Sequence, residues 1–335
     1  MTNEDSLTFL QHHNNITDIR DWRRYNVNVL IAQVHDSLQA MAPHVSFGIS
    51  PFAVRKNSDA GTTAFEGYYQ LYADGIAWLQ ERTIDYINPQ LYFYLEHERA
   101  PYGPLLDFWS RAAYENQRHM YAGLAPYRIY PPHNWSLDQA LDQLRLNMAN
   151  GWHQGNVYFR AQHLISNPKG YSDVLRNELY RYPALTPSMP WKSQAKPSPV
   201  EGLTASWSDD GRVILSWAKS DAFSSTRYPT AYKPADARAV RYVVYRLDMS
   251  DEEFAKIWQG DGDEVIPFPG PDLVLAARNM LDVTGQRQFV DHWKAGRSNA
   301  VYVVTSVSHN SIESTPTVLK ATFQDARFRY QSSAH

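Results

Sequence analysis

The chain has 335 residues, room for two ordinary domains, and 43% of them are hydrophobic, enough to supply a core in each. Its 32 basic and 35 acidic residues are interspersed and leave a formal charge of −3, with no basic block to neutralise a run of phosphates, which argues against nucleic acid as a partner. Cysteine is absent, which removes disulfides, thiolate nucleophiles and cysteine-bound metals together, and no stretch approaches the about 20 apolar residues of a membrane span.

The polar start MTNEDSLTFLQHHNN has neither a charged n-region nor an apolar h-region, so no signal peptide is expected. From Asp21 to Met41 a helix is predicted, with Val27, Leu30, Ile31, Val34, Leu38 and Met41 directed toward a sheet. Four strand-plus-helix units then follow. Their strands are predicted at Val45 to Phe52, Ile84 to Phe93, His119 to Pro126 and Asn156 to His163, apolar or aromatic almost throughout, as buried parallel strands are. Between them, Phe65, Tyr69, Tyr72, Ile76 and Leu79 share one helical face, a helix from Pro101 to Gln117 carries Leu105, Phe108, Trp109 and Ala112, and Leu137, Leu141, Leu144 and Met148 share another face. A last face holds Tyr171, Val174, Leu175 and Leu179.

Such a repeat fits a doubly wound sheet or a TIM barrel. There is no GxGxxG and no GxxxxGK[ST], so phosphate binding is not signalled and a barrel is the better expectation. Four strands cannot close a barrel, and the expected fold is therefore α/β: a partial (β/α)8 TIM barrel, its last four βα units, over residues 1–182. Residues 183–199, PALTPSMPWKSQAKPSP, with five prolines, read as an extended linker. Beyond it an all-β, fibronectin III-like sandwich is expected over 200–325, with a tail at 326–335. Its strands are Leu203 to Ser208, Val213 to Trp217, Val240 to Leu247, Phe289 to Asp291, Ala300 to Ser308 and Thr317 to Phe323. Trp217 and Tyr302 sit where such a sandwich buries aromatics, and the segments Asp221 to Ala239 and Asp251 to Asn279 read as long insertions.

Four segments, DWRRYNVN (Asp21 to Asn28), FGISPF (Phe47 to Phe52), DYINPQLYF (Asp85 to Phe93) and PALTPSMPW (Pro183 to Trp191), resemble the glycosyl hydrolase-like 10 family in order and spacing. The resemblance implies a bacterial barrel enzyme, exported or lipid-anchored in its parent form, that acts on cell-wall or related glycans. It also implies an acidic Phe-Asp-Asp-Tyr-Phe-Tyr-Pro strand just before the DWRR helix. That strand and the first half of the barrel are expected upstream of Met1. This chain departs from the family at Ala53, Val54, Arg55 and Lys56, where relatives continue with Gly-Ile-Trp-Arg, and at Arg160 to His163.

Glycoside hydrolysis needs two carboxyl groups across the scissile bond, and in a TIM barrel they lie at the C-terminal ends of the strands. Glu96 is the candidate proton donor, with Glu98 beside it; the competing reading is a solvated loop in which these carboxylates pair with Arg99 or His97. Asp59 fits an ordinary turn as well. Gln90, Tyr92 and Arg160 stand at strand ends as substrate-binding candidates, against a satisfied polar network in the barrel mouth. Tyr127 and Trp135, with His133, form either an aromatic subsite or loop packing. Asp21, Arg23 and Arg24 suit helix capping and surface pairing as well as ligand contact.

The twelve histidines are scattered, with no HExxH and no GxSxG, so neither a metal nor a cofactor is expected. The expected partner is a polysaccharide. Three readings follow: the C-terminal portion of a hydrolase, incomplete alone; a non-catalytic glycan-binding or structural remnant; and a homodimer joined through exposed barrel edges.

Overall fold

The computed structural model describes residues 5–208, 212–218, 239–250, 252, 277–292, 299–322 and 332–333. The chain divides into two compact units, Met1–Leu179 and Tyr180–His335. Together they are mixed α/β, with one parallel sheet in the first and two antiparallel sheets in the second.

The first unit begins with α1 (Ser6–His12) and α2 (Ile19–Met41). Asp18 caps α2 by accepting from the Arg20 amide at 2.7 Å, and the Trp22 indole donates to the His12 carbonyl, tying the two helices together. Its inward contacts come from Val27 and Ile31, whereas Leu30, Val34 and Met41 face solvent among the described residues. The expected apolar face is thus only half buried. A periodic stripe says which residues share a side, not whether anything lies against it.

Next come β1 (Gly48–Ile49), the short helices α3 (Asn57–Ala60), α4 (Gly67–Gln70) and α5 (Gly75–Gln80), β2 (Tyr86–Ile87), α6 (Tyr102–Glu115) and β3 (His119–Leu124). Then follow α7 (Leu137–Ala149), β4 (Gly155–Tyr158), α8 (Ala161–Ile165) and α9 (Tyr171–Val174). The four strands lie in the order β1-β2-β3-β4, all parallel. One side of this sheet is covered by helices: Ile84, Ile87, Met120, Ala122 and Leu124 are buried with Leu105, Leu106 and Trp109 of α6 and Leu141 and Leu144 of α7. Trp109 donates to the Ala53 carbonyl at 2.7 Å, fixing α6 across the end of β1. On α7, Asn147 is fully buried and satisfied, accepting from the Tyr102 hydroxyl at 2.8 Å and donating to Asn156 of β4 at 2.6 Å.

Among the described residues the other side of the sheet is left uncovered by helices. Along β2 and its continuation, Asp85, Ile87 and Pro89 are buried while Tyr86, Asn88 and Gln90 are not, and Phe52, Val157 and Phe159 are exposed on the flanking strands. Parallel sheets ordinarily have both faces covered, so this alternation is the pattern of a sheet with one face dressed.

Four expectations are corrected. The single helix through Phe65, Tyr69, Tyr72, Ile76 and Leu79 is two short helices, because Tyr72 adopts a left-handed φ of 55° and Asp74 restarts the chain by capping α5. Phe65 and Tyr69 are accordingly exposed. The first two strands are shorter than expected, continuing only as isolated bridges from Phe52 to Gln90 and from Gln90 to Gly123. The last strand ends at Tyr158, and Ala161 to Ile165 turn into α8 rather than extending it. On α7, Met148 is exposed despite its place in the stripe.

In the second unit, β5 (Glu201–Trp207), β6 (Val213–Ala218) and β9 (Gln288–Asp291) form one sheet in the order β5-β6-β9. The other contains β7 (Ala239–Met249), β8 (Met280–Thr284), β10 (Asn299–Ser308), β11 (Thr317–Thr322) and β12 (Ser332–Ser333), in the order β12-β11-β10-β7-β8. Leu203, Val213, Leu215 and Trp217 of the small sheet share a core with Tyr242, Val244, Tyr302 and Val304 of the large one. The two antiparallel sheets therefore pack face to face. The proline-rich residues 183–199 lie along this unit: Leu185 packs on the far side of the large sheet, and Asn310 donates to the Met189 and Ser193 carbonyls. The expected insertions at 221–239 and 251–279, and the tail at 326–335, lie almost wholly outside the described residues.

Candidate functional site: an aromatic cup at the strand ends

The C-terminal ends of β2, β3 and β4 bring three rings together. Tyr92 follows β2, Tyr127 lies on the 3-10 turn Pro126–Ile129 after β3, and Phe159 follows β4. Their ring centroids are 6.2 Å (Tyr92 to Tyr127), 6.1 Å (Tyr92 to Phe159) and 6.1 Å (Tyr127 to Phe159) apart. The planes meet at 89°, 42° and 77° respectively, so the rings form a cup rather than a stack. Phe159 is 54% exposed and Tyr92 half-buried. Burial, aided by the neighbouring Tyr127, pushes the Tyr92 hydroxyl above its ordinary value, so it stays protonated at neutral pH, as an unperturbed tyrosine does.

Register explains why these rings converge. Leu124 pairs with Tyr158 and Gly123 with Val157, placing the loops after β3 and β4 side by side. Gly123 allows β2 and β3 to close up beyond their ladder: its amide donates to the Pro89 carbonyl at 3.0 Å, and a Cβ there would stand 2.5 Å from that same oxygen. Gln90 sits in this closure and donates from Nε2 to the Ser50 carbonyl at 3.1 Å, so it bridges β1 and β2.

The remaining candidates are placed as follows. Trp135 is half-buried; its amide donates to the Arg128 carbonyl and its own carbonyl accepts from Lys169 at 2.7 Å. The Arg128 guanidinium carbon lies 5.6 Å from the Tyr127 ring centroid and 5.6 Å from that of Trp135, which connects Trp135 to the cup. His133 and His163 flank Tyr127 at 5.8 and 6.1 Å. Arg160 precedes α8, is exposed, and makes no side-chain hydrogen bond or ion pair among the described residues.

The carboxylates stand apart from this cluster. Glu96 and Glu98 are exposed and unpaired among the described residues; Arg99 donates to the Thr63 carbonyl instead, and His97 accepts from the backbone amides of Arg99 and Ala100. Asp59 is committed to Arg55 at 2.9 Å, and Arg55 also holds Asp74 at 2.8 Å. Asp21 pairs with Arg24, whose guanidinium lies 4.1 Å from the Tyr68 ring centroid, and Arg23 pairs with Asp5 at 2.5 Å. Arg23 and Arg24 thus fasten α2 to its surroundings, while Asp21 pairs within the helix. No group of three or more metal-ligating side chains occurs among the described residues, and no described helix is long and apolar enough to cross a membrane.

Phe159 and Arg128 join the site without having been singled out from the sequence. Phe159 was legible in principle, since it alternates with the packed Tyr158; Arg128 gave no signal, because a lone arginine in a proline-rich loop looks like solvated surface.

The cup presents apolar ring faces bordered by hydroxyl, amide and guanidinium donors, a combination suited to the C–H faces and hydroxyls of a sugar. Residues 4–140 match the family profile described as glycosyl hydrolase-like 10. Glycosyl hydrolase YngK of Bacillus subtilis (strain 168) is 38% identical over 243 residues, 69% of this chain and 45% of that protein. Glycosyl hydrolase DigH of Escherichia coli (strain K12) is 28% identical over 173 residues, 48% of this chain and 39% of its own length. Among solved structures, chitinase ChiA74 from Bacillus thuringiensis superposes over 94% of this chain and 57% of its own with a TM-score of 0.34 and 9% identity, too loose to assign a fold. The chain spans less than half the length of the curated relatives it matches. The motifs of Asp21 to Asn28, Phe47 to Phe52 and Asp85 to Phe93 lie inside the segment, residues 4–140, that matches the glycosyl hydrolase-like 10 family.

Proposed function

We propose that this chain is the glycan-contacting C-terminal half of a (β/α)8 glycoside hydrolase joined to a fibronectin III-like sandwich, and that its polymer is a bacterial cell-wall or related polysaccharide. The observation that carries the reading is the cup of Tyr92, Tyr127 and Phe159 at the C-terminal ends of three adjacent parallel strands. The half-barrel is supported by the consecutive order β1-β2-β3-β4, by helices on one face alone, and by the exposed Phe52, Val157 and Phe159 on the other. The polymer class rests on the family resemblance.

On this reading the chain holds a glycan without cleaving it. Cleavage needs two carboxyl groups about 5 to 9.5 Å apart across the bond, whereas Asp59 is consumed by Arg55 and Glu96 is exposed with no partner among the described residues. The test is co-sedimentation of the full chain with insoluble peptidoglycan and, in parallel, with plant cell-wall polysaccharide, followed by assay of reducing ends. Retention on peptidoglycan without release of reducing sugar is expected. Tyr127→Ala and Phe159→Ala should each weaken retention about tenfold, the loss of roughly 1 to 2 kcal/mol of ring contact. Absence of retention on either polymer ends the glycan reading; release of sugar by the chain alone ends the non-cleaving one.

A further inference from the structure

At the opposite end of the first unit from the cup, two more rings stand together. Tyr114 lies in the last turn of α6 and Trp152 in the turn between α7 and β4, so both sit where the chain enters the parallel strands rather than where it leaves them. Their ring centroids are 6.0 Å apart and their planes meet at 29°, an offset stack that leaves part of each face uncovered. Tyr114 is 60% exposed and Trp152 half-buried. Arg111, one turn before Tyr114 on the same face of α6 and itself exposed, has its guanidinium carbon 5.4 Å from the Trp152 ring centroid.

Trp152 is braced more firmly than a loop residue at the surface requires. Its amide donates to Asn150 Oδ1 at 3.0 Å, and Asn150 in turn donates to Asp107 of α6 at 3.1 Å. Its carbonyl accepts from Gln154 Nε2 at 2.9 Å, while Gln154 Oε1 accepts from the Met120 amide of β3 at 2.7 Å. Both backbone polar groups of Trp152 are thus spent on fixing it to α6 and to the sheet, and a ring held in place beforehand loses little entropy when a ligand is laid on it. Loop packing alone would bury the rings, yet Tyr114 gives most of its surface to water. Its sequence neighbours Arg111, Glu115 and Gln117 are exposed and polar, so the apolar surface is too narrow for a protein interface. Ring faces with a hydroxyl and a guanidinium beside them match a pyranose, whose C–H face stacks and whose hydroxyls accept hydrogen bonds.

We infer that Tyr114, Trp152 and Arg111 form a second carbohydrate site, a platform for the C–H face of a β-linked polysaccharide, at the N-terminal ends of the strands and separate from the cup. This rests on the glycan reading above and adds a second point of attachment, through which one long polymer, or two, hold the chain by both ends of the unit.

The test measures binding isotherms of the full chain on insoluble peptidoglycan for wild type, Tyr114→Ala, Tyr114→Phe, the cup variant Tyr127→Ala/Phe159→Ala, and the cup variant with Tyr114→Ala added. Urea midpoints measured alongside confirm that each protein is folded. Tyr114→Ala is expected to weaken retention about tenfold, and Tyr114→Phe, which keeps the ring, to bind nearly as wild type does. The cup variant should keep weak retention that the added Tyr114→Ala abolishes. A Tyr114→Ala protein bound like wild type, or a cup variant that retains nothing, overturns the platform and leaves the cup to be judged by its own variants. Equal losses in Tyr114→Phe and Tyr114→Ala overturn ring stacking as the mode of contact. Weakening by Tyr114→Ala with none from the cup variant supports the platform and ends the reading of the cup. If wild type is not retained, both fall.

Discussion

Gly123→Ala probes the closure between β2 and β3 on which the cup depends. The added methyl would stand 2.5 Å from the Pro89 carbonyl oxygen and 3.2 Å from its carbonyl carbon, both backbone atoms in a buried strand, with Asn88 Oδ1 at 3.0 Å. Relief requires β2 and β3 to part, which lengthens the 3.0 Å bond from the Gly123 amide to that oxygen. Overpacking of this kind costs about 1 to 3 kcal/mol and the weakened hydrogen bond about 1 more, so a loss of roughly 2 to 4 kcal/mol is expected. At a urea dependence of about 2 kcal/mol per molar, the midpoint falls by about 1 to 2 M. Equilibrium urea unfolding followed by tryptophan fluorescence measures it, since Trp78 and Trp109 are buried in the same core. Gly48→Ala is the control. Its Cβ would meet the Tyr86 ring at 2.3 Å, a harder clash on paper, but with a side chain on the open face that can swing away. A Gly123→Ala protein within about 0.5 kcal/mol of wild type, or a Gly48→Ala protein the less stable of the two, would refute the close approach of backbones as the reason for glycine at 123.

Three further outcomes are expected. Arg55→Gln strands Asp59 and Asp74, both largely shielded from solvent, and should lower stability by about 1 to 3 kcal/mol in the same urea assay; no change would show the three-residue cluster to be dispensable. His153 has its imidazole held below the ordinary 6.5 chiefly by burial, so below that pH the unfolded chain binds a proton that the folded chain resists. Its contribution is complete above pH 6.5 and fades as pH falls through the lowered folded value, and thermal melts from pH 7 to pH 5 should show a slope that His153→Gln flattens. Ser136→Ala removes the acceptor for the Gln139 amide at the start of α7, and about 1 kcal/mol of stability with it, whereas Ser136→Asp should restore most of the loss.

Much of the first unit was legible because local rules act there without competition. The end of α2 at Met41 is read as observed, though its start is placed at Asp21 whereas Asp18 caps a helix that begins at Ile19, and β3 follows from an apolar segment bounded by a helix and Pro126. What periodicity could not reveal was interruption. The stripe from Phe65 to Leu79 is real as a pattern, but the left-handed Tyr72 and the capping Asp74 divide it, and Asp74 is held in that role by Arg55, nineteen residues away in sequence. The strand β8, Met280–Thr284, was missed for a related reason, since LDVT carries little alternation and gains its place only by pairing with Tyr242 to Tyr245. At the cup, Tyr92 and Tyr127 could be suspected from their positions after strands. The place of Arg128 beside the Tyr127 and Trp135 rings could not, because a contact made across a folded turn leaves no periodic signal.

The two-faced sheet has a practical consequence. Its edge strands β1 and β4 point the same way, and its open face alternates with its packed one, so the sheet itself specifies the polarity and register of any strands that would extend it. If the half-barrel proposal holds, a separately expressed fragment of four parallel βα units would be accepted in one direction only, with its first and last strands assigned to opposite edges by the handedness of the crossovers.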